Sequence, residues 1–199
     1  MTNKFLMSEK TAKTIRTVTI APIIAFIVMT IIYLFKPDLI GGFLPYILLV
    51  LFLCIFPILA YPLQPYVPYF KDKGRTGQRN FSILMSLLGY VFGLLSTFIL
   101  KDVLFLKIIF LTYLLSAMLI AVFSKTLKFN ASGHTCGVAG PLVILAYVFG
   151  AYALFGFLIL PLVYWASIKL KRHTIAQLTV GSIIPIVLFV VMILIFDFI

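Results

Sequence analysis

Long apolar runs alternate with short polar breaks along the whole chain. The apolar runs cover about residues 16–35, 39–63, 81–100, 103–124, 137–170 and 174 to the C-terminal end. Most have about 20 residues, the length that an α-helix needs to cross the hydrocarbon core of a membrane. The pattern therefore predicts an all-α, polytopic membrane bundle, a single integral domain over residues 1–199 with a basic tail at 1–15.

The longest apolar run, 137–170, decides how often the chain crosses the membrane. One helix of that length would measure about 50 Å, too long for a hydrocarbon core of about 30 Å. Two shorter helices that turn near Gly150 fit better, so we expect seven crossings rather than six. With seven, the tail shares one side with three polar segments, at 64–80, 125–136 and 169–174. With six, His134 and His173 would lie on opposite sides.

Composition and charge support a membrane protein. The chain is 63% hydrophobic with a net charge of +11 and a mean hydropathy of +1.21, too apolar for a soluble domain. With seven crossings, only Lys36, Lys101 and Lys107 lie opposite the shared side. The positive-inside rule then places the shared side in the cytoplasm. Basic loops between membrane spans point to anionic membrane lipids, not nucleic acid, as partners. The oligomeric state stays open.

The two histidines are the candidate reactive groups. His134 stands in a Ser-Gly-His-Thr string, and His173 directly follows Lys171 and Arg172. An imidazole can act as nucleophile, acid or base near neutral pH, and fixed positive charge suits phosphoryl transfer. We expect no cofactor and no metal, because Asp72 is the one carboxylate in the three polar segments.

The three polar segments resemble the three signature motifs of the type 2 phosphatidic acid phosphatase (PAP2) superfamily. The family has a lysine and an Arg-Pro pair, then Pro-Ser-Gly-His, then an arginine, a histidine six residues on and an aspartate four beyond. Here the second motif reads Ala-Ser-Gly-His-Thr at 131–135, and the third runs from Ser167 through His173 to Gln177. The first is looser and lies within 71–80. The resemblance covers about residues 60–185.

The resemblance implies a PAP2-like core of six to seven transmembrane helices and a metal-independent lipid phosphatase. His173 would attack phosphorus and form a phosphohistidine, His134 would protonate the leaving alkoxide, and Gln177 would orient His173. The substrate would be a lipid phosphomonoester or diphosphate, such as a phosphatidate-like lipid or a prenyl phosphate. The residues expected to bind its phosphate are Lys71, Lys73, Arg79, Ser132, Gly133, Lys169 and Arg172.

Four positions depart from the family pattern. Asn80 and Ala131 replace prolines, Ser167 replaces the arginine and Gln177 the aspartate. A glutamine can accept a hydrogen bond from the imidazole but cannot stabilise its positive charge, so we expect slow catalysis. A catalytically weak or inactive PAP2-like protein that binds lipid phosphate is therefore an alternative. A small transporter is a further one, disfavoured because no acidic residue lies clearly within a span.

Overall fold

Helices make up all the regular structure that the computed structural model describes, which covers residues 2–100 and 103–196, with the backbone alone at 2–7 and 75. Lys101 lies outside these ranges. The α-helices are α1 Thr2–Val18, α2 Ala21–Phe35, α3 Pro37–Ile40, α4 Phe43–Val50, α5 Phe56–Leu63, α6 Pro68–Lys71, α7 Gly74–Ser96, α8 Leu104–Lys125, α9 Gly133–Phe149, α10 Ile159–Lys169 and α11 Ile175–Ile195. A π-helical turn, Leu51–Ile55, joins α4 to α5, and 3-10 helices occupy Gln64–Tyr66 and Gly150–Leu158.

Five helical stretches are long and apolar enough to cross a membrane, which makes the chain compatible with a multi-pass membrane protein. They are Phe43–Tyr66, Thr76–Ser96, Leu104–Lys125, Gly133–Lys169 and Ile175–Ile195. A sixth arises if Ser8–Val18 and Ala21–Phe35, bent by 49° relative to each other, form one span. By length and composition the described residues therefore give five or six spans, fewer than the seven expected.

The difference comes largely from Gly133–Lys169, which is one stretch of 37 residues but not one straight helix. Gly150 has a φ of +75°, which ends α9, and the side chain of Leu142 packs against Gly156. In a straight helix these two residues would lie about 21 Å apart along the axis. The chain therefore turns back at Gly150, as expected, and α9 and α10 form an antiparallel pair.

The first apolar run does not form the single helix expected over 16–35. A break at Thr19 and Ile20 separates α1 from α2, where Pro22 near the start of α2 favours a new helix start. α1 packs against α10, while α2 packs against α9. Arg16 and Thr19 consequently lie at the junction of two helices rather than within one continuous helix.

The core lies between α2, α8, α9 and α11, where apolar side chains are fully covered. Its largest members are Met29, Ile32, Leu106, Phe105, Phe110, Ile144 and Phe189. At one end of this core, the first turns of α9 and α11 meet the last turn of α8 and the start of α7. The polar segments that carry His134 and His173 are thereby brought to the same end of the bundle.

Candidate active site

A cavity of about 440 Å³ opens at the end of the bundle where the polar segments meet. His134 and His173 line it, together with Arg16, Arg79 and Arg172. Its described lining contains no carboxylate. A site with this charge is complementary to an anion.

The cavity continues from this cationic end into the apolar interior. Arg79 and Tyr90 both line it, and eleven residues of α7 separate them, which corresponds to about 16 Å along the helix axis. Its apolar lining includes Ala25, Leu53 and Ile120. The cavity is therefore amphipathic and has the volume typical of small-molecule sites.

His173 is held by the start of α11. Thr174 is the N-cap, and its backbone N–H donates to Gln177 Oε1 at 3.1 Å in a capping box. The same Oε1 lies 3.2 Å from His173 Nδ1. Because the backbone N–H fixes this oxygen as an acceptor, His173 Nδ1 must be the donor. In the neutral ring the lone pair is then on Nε2.

Burial lowers the pKa of His173 below its ordinary value of 6.5. The positive charges of Arg16 and Arg79 lower this pKa further, while hydrogen bonds with the Gln177 side chain and the Asn130 backbone oppose the shift. The net direction is downward, so His173 is neutral at pH 7. A neutral imidazole is the form that can act as a nucleophile.

His134 lies in the first turn of α9 and contacts the junction between α1 and α2. Its Nε2 lies 3.1 Å from Thr19 Oγ1. The Thr19 hydroxyl donates its single proton to the Ile15 carbonyl at 2.7 Å, so the hydroxyl accepts from His134 Nε2–H. Thr19 is buried in the break between α1 and α2, so it fixes the tautomer of His134 from a segment that carries none of the three motifs.

Arg16 reaches the site from the last turn of α1. Its Nη1 donates to Ser167 Oγ at 2.7 Å, and Ser167, on α10, is fully buried. Arg16 is also an electrostatic neighbour of both His134 and His173. In the sequence this arginine stands at the start of the first apolar run, and no local motif marks it as a site residue.

Arg79 is anchored on the other side of the cavity. Its Nη2 donates to Asn130 Oδ1 at 3.3 Å, and Ser124 Oγ donates to the same oxygen at 2.7 Å. Since the Asn130 backbone also contacts His173, this residue links the guanidinium to the histidine. Asn130 was not among the residues that the sequence singled out.

The expected phosphate-binding residues divide into two groups. Arg79, Gly133 and Arg172 line the cavity. Lys71, Lys73, Ser132 and Lys169 do not: Lys71 and Lys73 are exposed, and the Lys73 ammonium lies 3.2 Å from the centroid of the Tyr69 ring. Ser132 is buried as the N-cap of α9, where its hydroxyl accepts from the Thr135 N–H.

Hydrogen bonds tie the starts of α9 and α11 together. The Ser132 N–H donates to the Gln177 carbonyl at 2.9 Å, and Thr135 Oγ1 donates to the Leu178 carbonyl at 3.0 Å. Gly181 permits this approach, because a Cβ there would collide with the Ser132 carbonyl oxygen and lie 2.6 Å from Thr135 Oγ1. The two histidine-bearing segments therefore form one unit.

Comparisons of the chain with models of protein families, with curated proteins and with solved structures find no match.

Proposed function

We propose that the protein is a membrane lipid phosphatase with a PAP2-like core that cleaves a phosphate ester through a phosphohistidine. The observation that carries the proposal is one cavity lined by both histidines and three arginines, with no carboxylate in its described lining. Guanidinium groups bind phosphate oxygens with matched geometry and stabilise the charge that develops on them during transfer. The order of the three motifs in the sequence adds independent support.

The reaction starts from the neutral form of His173. Its Nε2 forms a bond to phosphorus while the ester P–O bond breaks. The negative charge of the bound phosphate favours the protonated form of His134, which gives its proton to the leaving alkoxide. Water then attacks phosphorus, His134 takes a proton from that water, and the N–P bond breaks to release inorganic phosphate. Gln177 keeps the Nδ1 proton of His173 in place throughout.

The amphipathic cavity favours a lipid as the substrate. The phosphate would lie among the arginines at the cationic end, and the chain would follow the apolar walls toward Leu53 and Ile120. Both a phosphatidate-like lipid and a prenyl phosphate fit this description. By the positive-inside rule, the site faces the cytoplasm.

The decisive experiment measures release of inorganic phosphate from a short-chain phosphatidate by the purified protein in detergent, with a chelator present. Wild type is expected to release phosphate, His173→Ala to abolish release, and His134→Ala to slow it by about 10²- to 10⁴-fold. Ile175→Ala is the matched control, because this neighbouring side chain is 65% exposed and does not line the cavity. Equal rates for wild type and His173→Ala, across phosphatidate and prenyl phosphates, would refute the proposal.

A second candidate function is the binding of lipid phosphate without turnover. It is favoured by Gln177, which contacts His173 at 3.2 Å but carries no charge to stabilise an imidazolium. This candidate predicts that short-chain phosphatidate raises the thermal unfolding temperature of wild type although no phosphate is released. Turnover by wild type would exclude it.

A further inference from the structure

We propose that Arg16 is a phosphate-binding residue of this site, positioned by Ser167, so that the helix preceding the bundle completes the active site. The inference rests on the proposed function, because it names the group that holds the substrate's phosphate. It adds a residue from α1, outside the three motif segments.

The placement of Arg16 is the first argument. Its side chain lines the same cavity as both histidines, and its charge acts on both rings. Electrostatic effects of this kind require proximity, because water and salt screen distant charges. The guanidinium therefore lies within electrostatic range of both rings, in the cavity that would hold the phosphate.

The hydrogen bond to Ser167 is the second argument. Ser167 is fully buried, and its hydroxyl receives a 2.7 Å hydrogen bond from Arg16 Nη1. A guanidinium is planar and carries five N–H donors in fixed directions, so one short bond orients the whole group. A neutral hydroxyl achieves this without cancelling the positive charge, which an acidic partner would do.

The origin of the two groups is the third argument. Ser167 lies on α10, six residues before His173, and carries no charge. The guanidinium at this position belongs to Arg16, which lies 151 positions earlier in the sequence. If Arg16 served only to tie α1 to α10, any polar pair at this contact would be sufficient. If the guanidinium instead binds phosphate, an arginine at position 167 on α10 should be able to replace the arginine at position 16 on α1.

The test exchanges the two side chains. Arg16→Ser, Arg16→Lys, Ser167→Ala and the double variant Arg16→Ser with Ser167→Arg are compared with Lys13→Ala, an exposed residue of the same helix. Two quantities are measured for each: kcat/KM for short-chain phosphatidate, and the rise in unfolding temperature caused by inorganic phosphate. The second measurement reports binding independently of turnover.

We expect Arg16→Ser to lower kcat/KM and phosphate affinity by about 10- to 100-fold, the loss of one or two charge-assisted hydrogen bonds. The kcat/KM and phosphate affinity of Arg16→Lys should lie between those of wild type and Arg16→Ser, because lysine keeps the charge but lacks the paired N–H donors of the guanidinium. Ser167→Ala should lower both quantities less than Arg16→Ser does. The exchange variant should recover most of the phosphate affinity that Arg16→Ser loses. Lys13→Ala should match wild type.

Two results overturn the inference: an Arg16→Ser protein with unchanged phosphate affinity, or a loss equal to that of Ser167→Ala with no recovery on exchange. The second would assign the pair to helix packing. The proposed function fails separately, if wild type binds phosphate through Arg16 but releases none from lipid. A wild type that neither binds nor releases phosphate overturns both.

Discussion

Gln177 holds His173 through an oxygen whose position the helix start fixes. The capping box needs a glutamine or glutamate at this position, and Oε1 serves the Thr174 N–H and His173 Nδ1 at once. One side chain therefore both caps α11 and sets the tautomer of His173. The arrangement orients the ring but leaves an imidazolium without a counter-charge.

Replacing Gln177 by glutamate should raise kcat. The change keeps the length of the side chain and the capping box, and it adds a negative charge beside Nδ1 that stabilises the imidazolium character of the transition state. An increase of about tenfold or more is expected, and Gln177→Leu should lower kcat by a similar factor, since it removes the acceptor. Steady-state kinetics of both variants check this; an unchanged kcat in Gln177→Glu would show that the charge on His173 does not limit the rate.

The pH profile should reflect the lowered pKa of His173. Because burial and the neighbouring arginines favour the neutral ring, the acid limb of kcat/KM should lie below pH 6.5. Arg79→Gln removes a positive charge, so it should raise this pKa and move the acid limb to higher pH. The same lowered pKa affects the free energy of unfolding, because the unfolded chain binds a proton on His173 more readily than the folded protein does. The contribution of His173 to stability is therefore present above pH 6.5 and is lost as the pH falls. An acid limb that moves to lower pH in Arg79→Gln would contradict the assignment.

At the scale of the helices, close approach of α9 and α11 brings His134 and His173 to the same cavity. Gly181 lies against the Ser132 backbone and the Thr135 hydroxyl, with no room for a methyl group. Since Ser132 and Thr135 flank His134 while Gln177 contacts His173, a displacement here changes the relative position of the two histidines.

Gly181→Ala should therefore destabilise the protein and lower phosphate release. The steric cost, about 1–3 kcal/mol for overpacking, exceeds the gain in helix propensity from Gly to Ala. A lower unfolding temperature in detergent is expected, with Gly140→Ala as the stability control, because a Cβ at Gly140 meets its nearest neighbour at an ordinary 3.5 Å. Equal unfolding temperatures for the two variants would show that the contact at Gly181 can relax.

Local patterns in the sequence predicted one part of the site and missed another. His134, His173 and Arg79 follow from polar breaks and motif spacing, because those segments carry their own signals. Arg16 and Thr19 come from the junction of the first two helices and meet their partners only through the tertiary fold, 151 and 115 positions away. The signal that could have found them is a polar pair next to the Pro22 break. Lys71 and Lys73 are exposed and do not line the cavity, since charged side chains in a loop face solvent readily.

At the scale of the molecule, the turn at Gly150 places both histidines at one end of the bundle. The contact between Phe35 and Phe149 puts the end of α9 beside the end of α2, opposite the cavity. The expectation of an all-α bundle with this turn could be read from run lengths, because helix length is tied to membrane thickness. The number of crossings could not, since it depends on how the Gly133–Lys169 stretch and the bent α1–α2 pair sit in the bilayer.

Cysteine labelling should reveal this arrangement in intact cells. Lys125→Cys and Lys171→Cys, both exposed and at the cavity end, are expected to react with an impermeant maleimide only after permeabilisation. Tyr152→Cys, 86% exposed beside the Gly150 turn, should react without it. The native Cys54 and Cys136 are buried and provide a low background. Labelling of positions 125 and 171 from opposite sides would exclude the antiparallel pair.

The backbone bond between Ser132 and Gln177 has a mechanical consequence. It clamps the two histidine segments together, whereas the arginines are held by side-chain contacts with Ser167 and Asn130. Side-chain contacts rearrange more readily than hydrogen bonds between two helix starts, so a change in the lateral pressure of the surrounding lipid should displace the arginines before it displaces the two histidine segments. For the proposed lipid phosphatase, bilayer tension should therefore change the affinity for the substrate's phosphate before it changes the placement of His173.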